Sequence, residues 1–244
     1  KIEDEREIIS RRNFLSDLSV KSIALGVLSA GVLYQATKLF TRDSESSDPG
    51  ADASTDTSNP DTPAEPGWFN KFGEVPLNTD IVFGQSVQGV PLTFYRRQSG
   101  SDGARVLVIG CIHGDEFVGN RVVDILRDMP LEGNIDLWMV RSMNPDGQQL
   151  RTRQNANGVD LNRNFATDDW RFVGQGSEKY SGEAAASEVE TKAVQQFVLE
   201  QQPLLVVWWH QFGYYVDEQR TVANFDLIRR FSELTGLPIT DVGC

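Results

Sequence analysis

The pattern of apolar positions predicts strands alternating with helices from about residue 80 onward. Continuous apolar runs at Arg105–Ile112 and Leu204–Trp209 are typical of strands buried on both faces. Glu116–Met129 has apolar residues at helical spacing and ends at a proline. Further predicted elements are a strand pair in Val82–Tyr95, a strand at Ile135–Val140, a helix that Ser187 opens in a capping-box arrangement with Glu190, a helix at Phe225–Leu234 and a strand starting at Ile239. This alternation predicts one α/β domain, with a mainly parallel or mixed twisted sheet flanked by helices and incomplete at the C-terminus.

Residues 1–42 have the pattern of an export leader. Paired arginines within Ser10–Leu15 resemble a twin-arginine signal. An uncharged stretch, Ser22–Thr37, follows, and its apolar centre is shorter than the roughly 20 residues of a membrane-spanning helix. We therefore expect an exported protein, extracellular or in the cell envelope or periplasm. A buried amphipathic helix is the alternative. Because Tyr34–Ala36 is a poor cleavage site, an uncleaved leader that anchors the protein to the membrane also stays open.

Residues 43–66 have the composition of a disordered linker. They contain 7 acidic residues, 4 prolines and 8 serines or threonines, with no basic, aromatic or large aliphatic residue. Such a segment cannot bury enough apolar surface to offset the entropy that ordering it would cost. The expected folded domain is therefore 67–244.

The net charge and the few cysteines and histidines narrow the function. With 23 basic against 35 acidic residues, the net charge is -12, which argues against a general nucleic-acid binder. Cys111 and Cys244 are the two cysteines, so the chain is neither a disulfide scaffold nor a zinc knuckle, and whether they pair stays open. His113 and His210 are the two histidines, which leaves a short list of candidates for a metal or acid–base site.

Both histidines are expected just beyond the carboxyl ends of buried strands, where sites form in open α/β sheets. Glu116 follows His113 by about one helical turn and can point the same way. Two imidazoles and one carboxylate make the usual three-ligand set of a catalytic zinc site. From these residues alone, two structural histidines are the more common interpretation, because His-x-x-Glu also occurs by chance.

Five motifs add to this pattern. They are His113-Gly-Asp-Glu116, Asn144-Pro-Asp-Gly147, Gly158-Val-Asp-Leu-Asn-Arg-Asn-Phe165, Tyr180-Ser-Gly182 and Ser187-Glu-Val-Glu190. Followed by His210 after an apolar strand, they resemble the zinc carboxypeptidase family, the carboxypeptidase A-like peptidases, over roughly residues 83–244. The spacing of 94 residues from Glu116 to His210 resembles the compact bacterial members, which include murein peptide amidases.

The resemblance implies roles for six residues. The implied ligands of one zinc ion are His113, Glu116 and His210. Arg153 matches the catalytic arginine that polarises the scissile carbonyl, and a fixed guanidinium suits that role because its charge is permanent. Asn162 and Arg163 match the pair that anchors the terminal carboxylate of the substrate. The implied function is that of a zinc metallocarboxypeptidase whose partner is a peptide with a free C-terminal carboxylate, cell-wall peptides included.

One expected residue has no counterpart in the sequence. The general-base glutamate of the family, like the residue that sets specificity, should lie beyond Cys244, because Glu218 and Glu233 come too early. We therefore expect the chain as given to be inactive on its own. Asp146 and Asp160 are expected to be structural, holding turns and loops near the site.

Two other functions remain open on the sequence. A zinc-dependent deacylase of N-acyl amino acids shares the His-Gly-x-Glu and Asp-Leu-Asn-Arg segments, although Asn-Pro-Asp-Gly and Ser-Glu-Val-Glu favour the peptidase. A non-catalytic envelope module that retains zinc is the alternative from a different class. A later strand that carries a glutamate would distinguish an enzyme from such a module.

Overall fold

The computed structural model describes residues 33–35, 75–211, 213–217 and 225–240. Apart from a three-residue strand, the predicted leader and the predicted linker lie outside the described residues. The strands are β1 (Leu33–Gln35), β2 (Asp80–Gln85), β3 (Pro91–Ser99), β4 (Ala104–Ile109), β5 (Ile135–Val140), β6 (Leu205–His210), β7 (Val216–Asp217) and β8 (Ile239–Thr240). The helices are α1 (Val118–Asp128), α2 (Pro145–Leu150), α3 (Val189–Gln201), α4 (Phe225–Thr235) and a 3-10 helix (Leu161–Arg163).

The eight strands of the described residues form one sheet in the order β2-β3-β5-β4-β6-β1-β7-β8. Its centre is parallel, since β4 lies between β5 and β6 and runs in the same direction as both. Towards one edge β3 is antiparallel to β5 and β2 is antiparallel to β3. Towards the other, β1 is antiparallel to β6 and parallel to β7. The expected α/β domain with a mixed sheet is therefore confirmed. Within the described residues, no helix is both long and apolar enough to span a bilayer.

The two faces of the sheet carry separate apolar clusters. Side chains alternate along a strand, so Val106 and Val108 of β4 pack with α1 and α4, whereas Leu107 and Ile109 pack with α3. On the α3 face, Phe197 packs in tilted contacts against aromatic rings of β2, β3 and β5. Burial on both faces explains why the sequence of β4 is an unbroken apolar run.

The strand register brings the carboxyl ends of the parallel strands to one edge. Ile109 at the end of β4 is paired with Val140 at the end of β5 and with Trp208 near the end of β6. The segments that follow these strands therefore leave the sheet side by side. The sequence predicted that His210 lies just beyond the end of β6. In the structure it is the last residue of that strand.

Helix α1 packs unusually close to this edge. A Cβ on Gly119 would lie 1.7 Å from the carbonyl oxygen of Gly110 and 2.6 Å from the Cβ of Trp209, so only glycine allows this approach. The helix starts at Val118, two residues later than predicted, and Glu116 belongs to a turn in which its N–H donates to the carbonyl of His113 (3.1 Å). This turn folds the carboxylate of Glu116 back towards the imidazole of His113.

Candidate metal centre

The structure brings His113, Glu116 and His210 into one buried cluster. Nδ1 of His113 lies 2.9 Å from Oε1 of Glu116, and Nδ1 of His210 lies 3.0 Å from Oε2 of the same carboxylate. The two Nδ1 atoms are 3.2 Å apart. The three residues are only 1%, 5% and 6% exposed, respectively. Two imidazoles and one carboxylate, from two segments at least 94 residues apart in the chain, thus converge on one point.

Backbone contacts fix the two segments that carry these side chains. Gly114 N–H donates to the carbonyl of Arg153 (3.4 Å), and a Cβ at Gly114 would lie 2.0 Å from the backbone of Gly147. Gln211 N–H donates to Oε2 of Glu116 (2.9 Å), which ties the end of β6 to the turn after β4. The site is therefore held by the backbone of three neighbouring segments.

The donor atoms fit a zinc ion. Imidazole nitrogens and a carboxylate are zinc ligands, and in a tetrahedral site such atoms lie about 3.3 Å from one another. The observed separations of 2.9 to 3.2 Å are close to this value. Among the described residues, this is the group of histidine and acidic side chains whose ligand atoms lie within 4.8 Å of one another.

Asp160 connects the cluster to its surroundings. Its carboxylate is fully buried, and Oδ1 accepts hydrogen bonds from Nε2 of His113 (3.0 Å) and from the backbone of Asn162 (3.0 Å). Oδ2 accepts from Nε of Arg153 (2.9 Å). With its proton on Nε2, His113 presents the lone pair of Nδ1 to the cluster, as a metal ligand must. The sequence had predicted only a structural role for Asp160, and the structure adds this contact with a candidate ligand.

The electrostatics keep both carboxylates ionised. Burial alone would raise the pKa of Glu116, but hydrogen bonds with His113 and His210 outweigh it and hold the pKa at about 2. Burial opposes ionisation of Asp160 too, and contacts with His113 and Arg153 hold its pKa at about 2. Burial lowers the pKa of His210, so this imidazole is neutral at pH 7 and keeps a lone pair for a metal. Burial also acts to lower the pKa of His113, but its bonds to Asp160 and Glu116 raise it overall.

Arg153 lies at the rim of the cluster. Its Nη1 is 3.3 Å from Nδ1 of His113 and 3.8 Å from Oε1 of Glu116, and its side chain is 27% exposed. Because Asp160 holds the other side of the guanidinium, Arg153 is fixed in place before any ligand arrives. The arrangement suits an electrophilic group that faces the solvent side of the cluster.

Asn162 and Arg163 lie on the 3-10 helix that Asp160 caps. Both are partly buried, and neither has a hydrogen bond to the three converging side chains. Nη1 of Arg163 donates to the carbonyl of Asn162 (3.1 Å), and within the described part of the chain the guanidinium has no carboxylate partner. Asp160 thus contacts His113 of the cluster and Arg153, and it caps the helix that carries Arg163.

Among the described residues, the structure assigns the role of general base to none of the glutamates that follow the candidate ligand in the sequence. Glu188 accepts hydrogen bonds from Asn155 and Asn157 (both 2.8 Å), and Glu233 pairs with Arg230 on the surface. Glu218 lies outside the described residues. The location of the general base beyond Cys244 stays a prediction.

Replacing Asp160 by asparagine should weaken zinc binding about 10- to 100-fold, the usual loss when a partner that orients a ligand is changed. The amide keeps the shape but removes the charge that holds His113 and Arg153. Zinc affinity is measured by competition with a chelator. Asp136→Asn is the matched control, because Asp136 is also a buried aspartate with arginine partners but lies at the far end of β5. Equal affinities in all three proteins would contradict this role of Asp160.

Comparison with known proteins places this geometry among characterised relatives. The sequence profile of the family described as zinc carboxypeptidase matches residues 73–219. The murein peptide amidase A of Vibrio campbellii is 33% identical over 177 residues, which is 68% of this chain and 69% of that protein. That of Escherichia coli K12 is 34% identical over 152 residues, or 57% and 61% of the two chains. The crystal structure of the murein-tripeptide amidase of Escherichia coli O157 aligns with a TM-score of 0.53 and 26% identity, over 72% of this chain and 77% of that one.

Proposed function

Because the chain belongs to the zinc carboxypeptidase family, whose members use one zinc ion, we propose that the intact protein hydrolyses a peptide bond next to a free C-terminal carboxylate. We further propose that its substrates are cell-wall peptides. Two relatives that carry the name murein peptide amidase support this substrate class. The predicted export leader is consistent with it, since cell-wall peptides lie outside the cytoplasm.

The residues of the cluster support a division of labour. His113, Glu116 and His210 would hold the zinc ion, which when bound supplies Lewis-acid polarisation of a carbonyl and activation of water near neutral pH. Arg153 would donate hydrogen bonds to the carbonyl oxygen as its negative charge grows. Asp160 fixes the orientation of His113 and Arg153 through its hydrogen bonds, so neither group has to reorganise during the reaction.

The observation that carries the proposal is Arg163, whose guanidinium has no carboxylate partner among the described residues. Arg163 sits on a short helix whose cap, Asp160, also holds a candidate zinc ligand. A partly buried guanidinium without a carboxylate partner is suited to bind a carboxylate through charge-assisted hydrogen bonds. Asn162, its neighbour on the same helix, would add an amide donor. A substrate with a free C-terminus supplies the missing carboxylate.

Replacing Arg163 by glutamine should raise KM for free-acid peptides roughly 10- to 100-fold, the range expected for losing a hydrogen bond to a charged group. KM for the same peptides with an amidated C-terminus should change little, because no carboxylate is present to bind. Steady-state kinetics on the paired peptides measure both effects, and Arg171→Gln, on an exposed loop, is the control. Equal losses on the two peptide forms would show that Arg163 does not anchor the carboxylate.

A further inference from the structure

Glu116, one of the three converging side chains, and Arg153 line a cleft of about 380 Å³. Two further acidic residues, Asp115 and Glu178, line the same cleft. The other lining residues are neutral, namely Thr152, Gln154 and Gln211. The balance of charge in the cleft therefore depends on how these four ionised side chains are paired.

Asp115 and Glu178 differ from the other charged residues of the cleft in their lack of an oppositely charged partner among the described residues. The guanidinium of Arg153 is already matched by Asp160, with Nη2 of Arg153 2.8 Å from Oδ2. The carboxylate of Glu116 contacts both histidines, and under the proposed function the zinc ion that these three residues hold would compensate its charge. Asp115 and Glu178 are exposed, and within the described residues neither carboxylate has an ion pair or a side-chain hydrogen bond. Among the described residues, these two carboxylates are thus the acidic groups of the cleft that have no cationic partner.

Hydrogen bonds tie the two loops that carry Asp115 and Glu178 to the same short segment. Asp115 follows Gly114, whose N–H donates to the carbonyl of Arg153 (3.4 Å). The carbonyl of Glu178 accepts from Nε2 of Gln154 (3.1 Å). The two acidic residues therefore belong to loops that are anchored on consecutive residues, Arg153 and Gln154, next to the reacting groups.

The lining of the cleft indicates which part of the substrate it receives. Asn162 and Arg163 do not line it, although under the proposed function they hold the C-terminal carboxylate of the substrate. The C-terminal residue is the part that leaves with the amine. The cleft must then receive the acyl part, which is the portion on the N-terminal side of the scissile bond.

We infer that Asp115 and Glu178 bind a positively charged group on the acyl part of the substrate, either a free N-terminal ammonium or a cationic side chain. The inference rests on the proposed function, since that function decides which end of the peptide enters the cleft. Exposed ion pairs each change binding by at most about fivefold, so two of them should give a preference of roughly 5- to 20-fold in kcat/KM. Because such pairs are screened, the preference should shrink as salt is added.

Three peptides built on the C-terminal residue that is cleaved fastest test this inference. The parent is N-acetylated with norleucine before the scissile bond and has no positive charge. The second has a free N-terminus, and the third has lysine in place of norleucine, so the pair distinguishes the two sources of charge. At least one charged peptide should exceed the parent 5- to 20-fold in kcat/KM with the intact, zinc-loaded protein.

Two variants and one control locate the effect. Glu178→Gln and Asp115→Asn should each reduce the preference severalfold, and Glu178→Lys should reverse it in favour of a peptide with an acidic acyl part. Glu183→Gln is the control, because Glu183 is an exposed carboxylate that does not line the cleft. Calorimetric affinities for the same peptides are measured alongside turnover.

The outcomes separate the inference from the proposed function. Equal affinity and equal turnover of charged and uncharged peptides would overturn the inference and leave the peptidase intact. A preference for charge that persists unchanged in Glu178→Gln and Asp115→Asn would overturn it as well. Affinity that depends on charge and on these two carboxylates, without cleavage of any peptide, would support the inference and overturn the proposed function alone.

Discussion

Replacing His210 by alanine is expected to reduce zinc affinity by more than 100-fold. Changing a residue that merely orients a ligand costs roughly 10- to 100-fold, and this substitution removes one of three candidate ligands. His113→Ala should behave in the same way, because the Nδ1 atoms of the two histidines approach the same point (3.2 Å). Metal content after dialysis against a micromolar chelator measures the loss, with about one zinc per wild-type chain.

A second measurement separates loss of the site from loss of the fold. Zinc at 100 times its dissociation constant should stabilise the wild-type protein by about 2.7 kcal/mol and raise its Tm, whereas the alanine variants should not respond. Cys111→Ser is the control. Cys111 is buried near the cluster, but its Sγ donates to the carbonyl of His113 (2.9 Å) and is not among the converging atoms. Wild-type and histidine variants with equal zinc content would exclude this metal centre.

The central strands could be predicted because strands that are buried on both faces consist mainly of apolar residues. Every residue of β5 and β6 is buried, and apart from Asp136 and His210 both strands consist of apolar residues. β5 begins and ends where the sequence predicted, and β6 is shifted by one residue. The direction of the strands follows from their alternation with helices, which brings their carboxyl ends to a shared edge. Fold class and the neighbourhood of the two histidines were therefore accessible from one sequence.

A local motif predicted the start of a helix incorrectly where a residue distant in sequence binds the same side chain. Ser187 and Glu190 were expected to form a capping box, yet α3 begins at Val189 without a side-chain cap. Oγ of Ser187 donates to Glu188, and Glu190 accepts from the backbone of Val87, 103 residues away. The carboxylate of Glu190 binds a residue that is distant in sequence and is therefore not available to cap the helix. A short sequence motif contains no information about such a distant partner.

The two motif aspartates illustrate the same limit within the site. Asp146 does what the sequence predicted, since it holds the turn between β2 and β3 through Oγ of Ser86 (2.7 Å) and the backbone of Gln88 (2.9 Å). Asp160 was given the same role but contacts His113, 47 residues earlier in the chain. Both residues are fully buried, so burial does not distinguish them. Only the fold shows which of them faces the cluster.

Replacing Arg153 by glutamine should lower kcat roughly 10²- to 10³-fold, the usual effect of removing one donor to a developing oxyanion. KM should change little, because the guanidinium is needed most when charge accumulates on the carbonyl oxygen. Arg151→Gln is the matched control, since Arg151 is exposed and its side chain forms no ion pair within the described part of the chain. Steady-state kinetics on a free-acid peptide compare the two variants.

The buried partner of Arg153 requires a second variant. Asp160 is fully buried, and removing its guanidinium partner leaves a charge that can destabilise the protein by about 3–5 kcal/mol. Arg153→Lys keeps a positive charge beside Asp160 but loses the fork that holds it on one side and faces the cluster on the other. If Arg153 stabilises the oxyanion, the lysine variant should fold and retain zinc, yet recover only part of the lost kcat. Full kcat in Arg153→Lys would assign the charge alone to catalysis, and full kcat in a folded Arg153→Gln would remove Arg153 from the reaction and leave it as a support for Asp160.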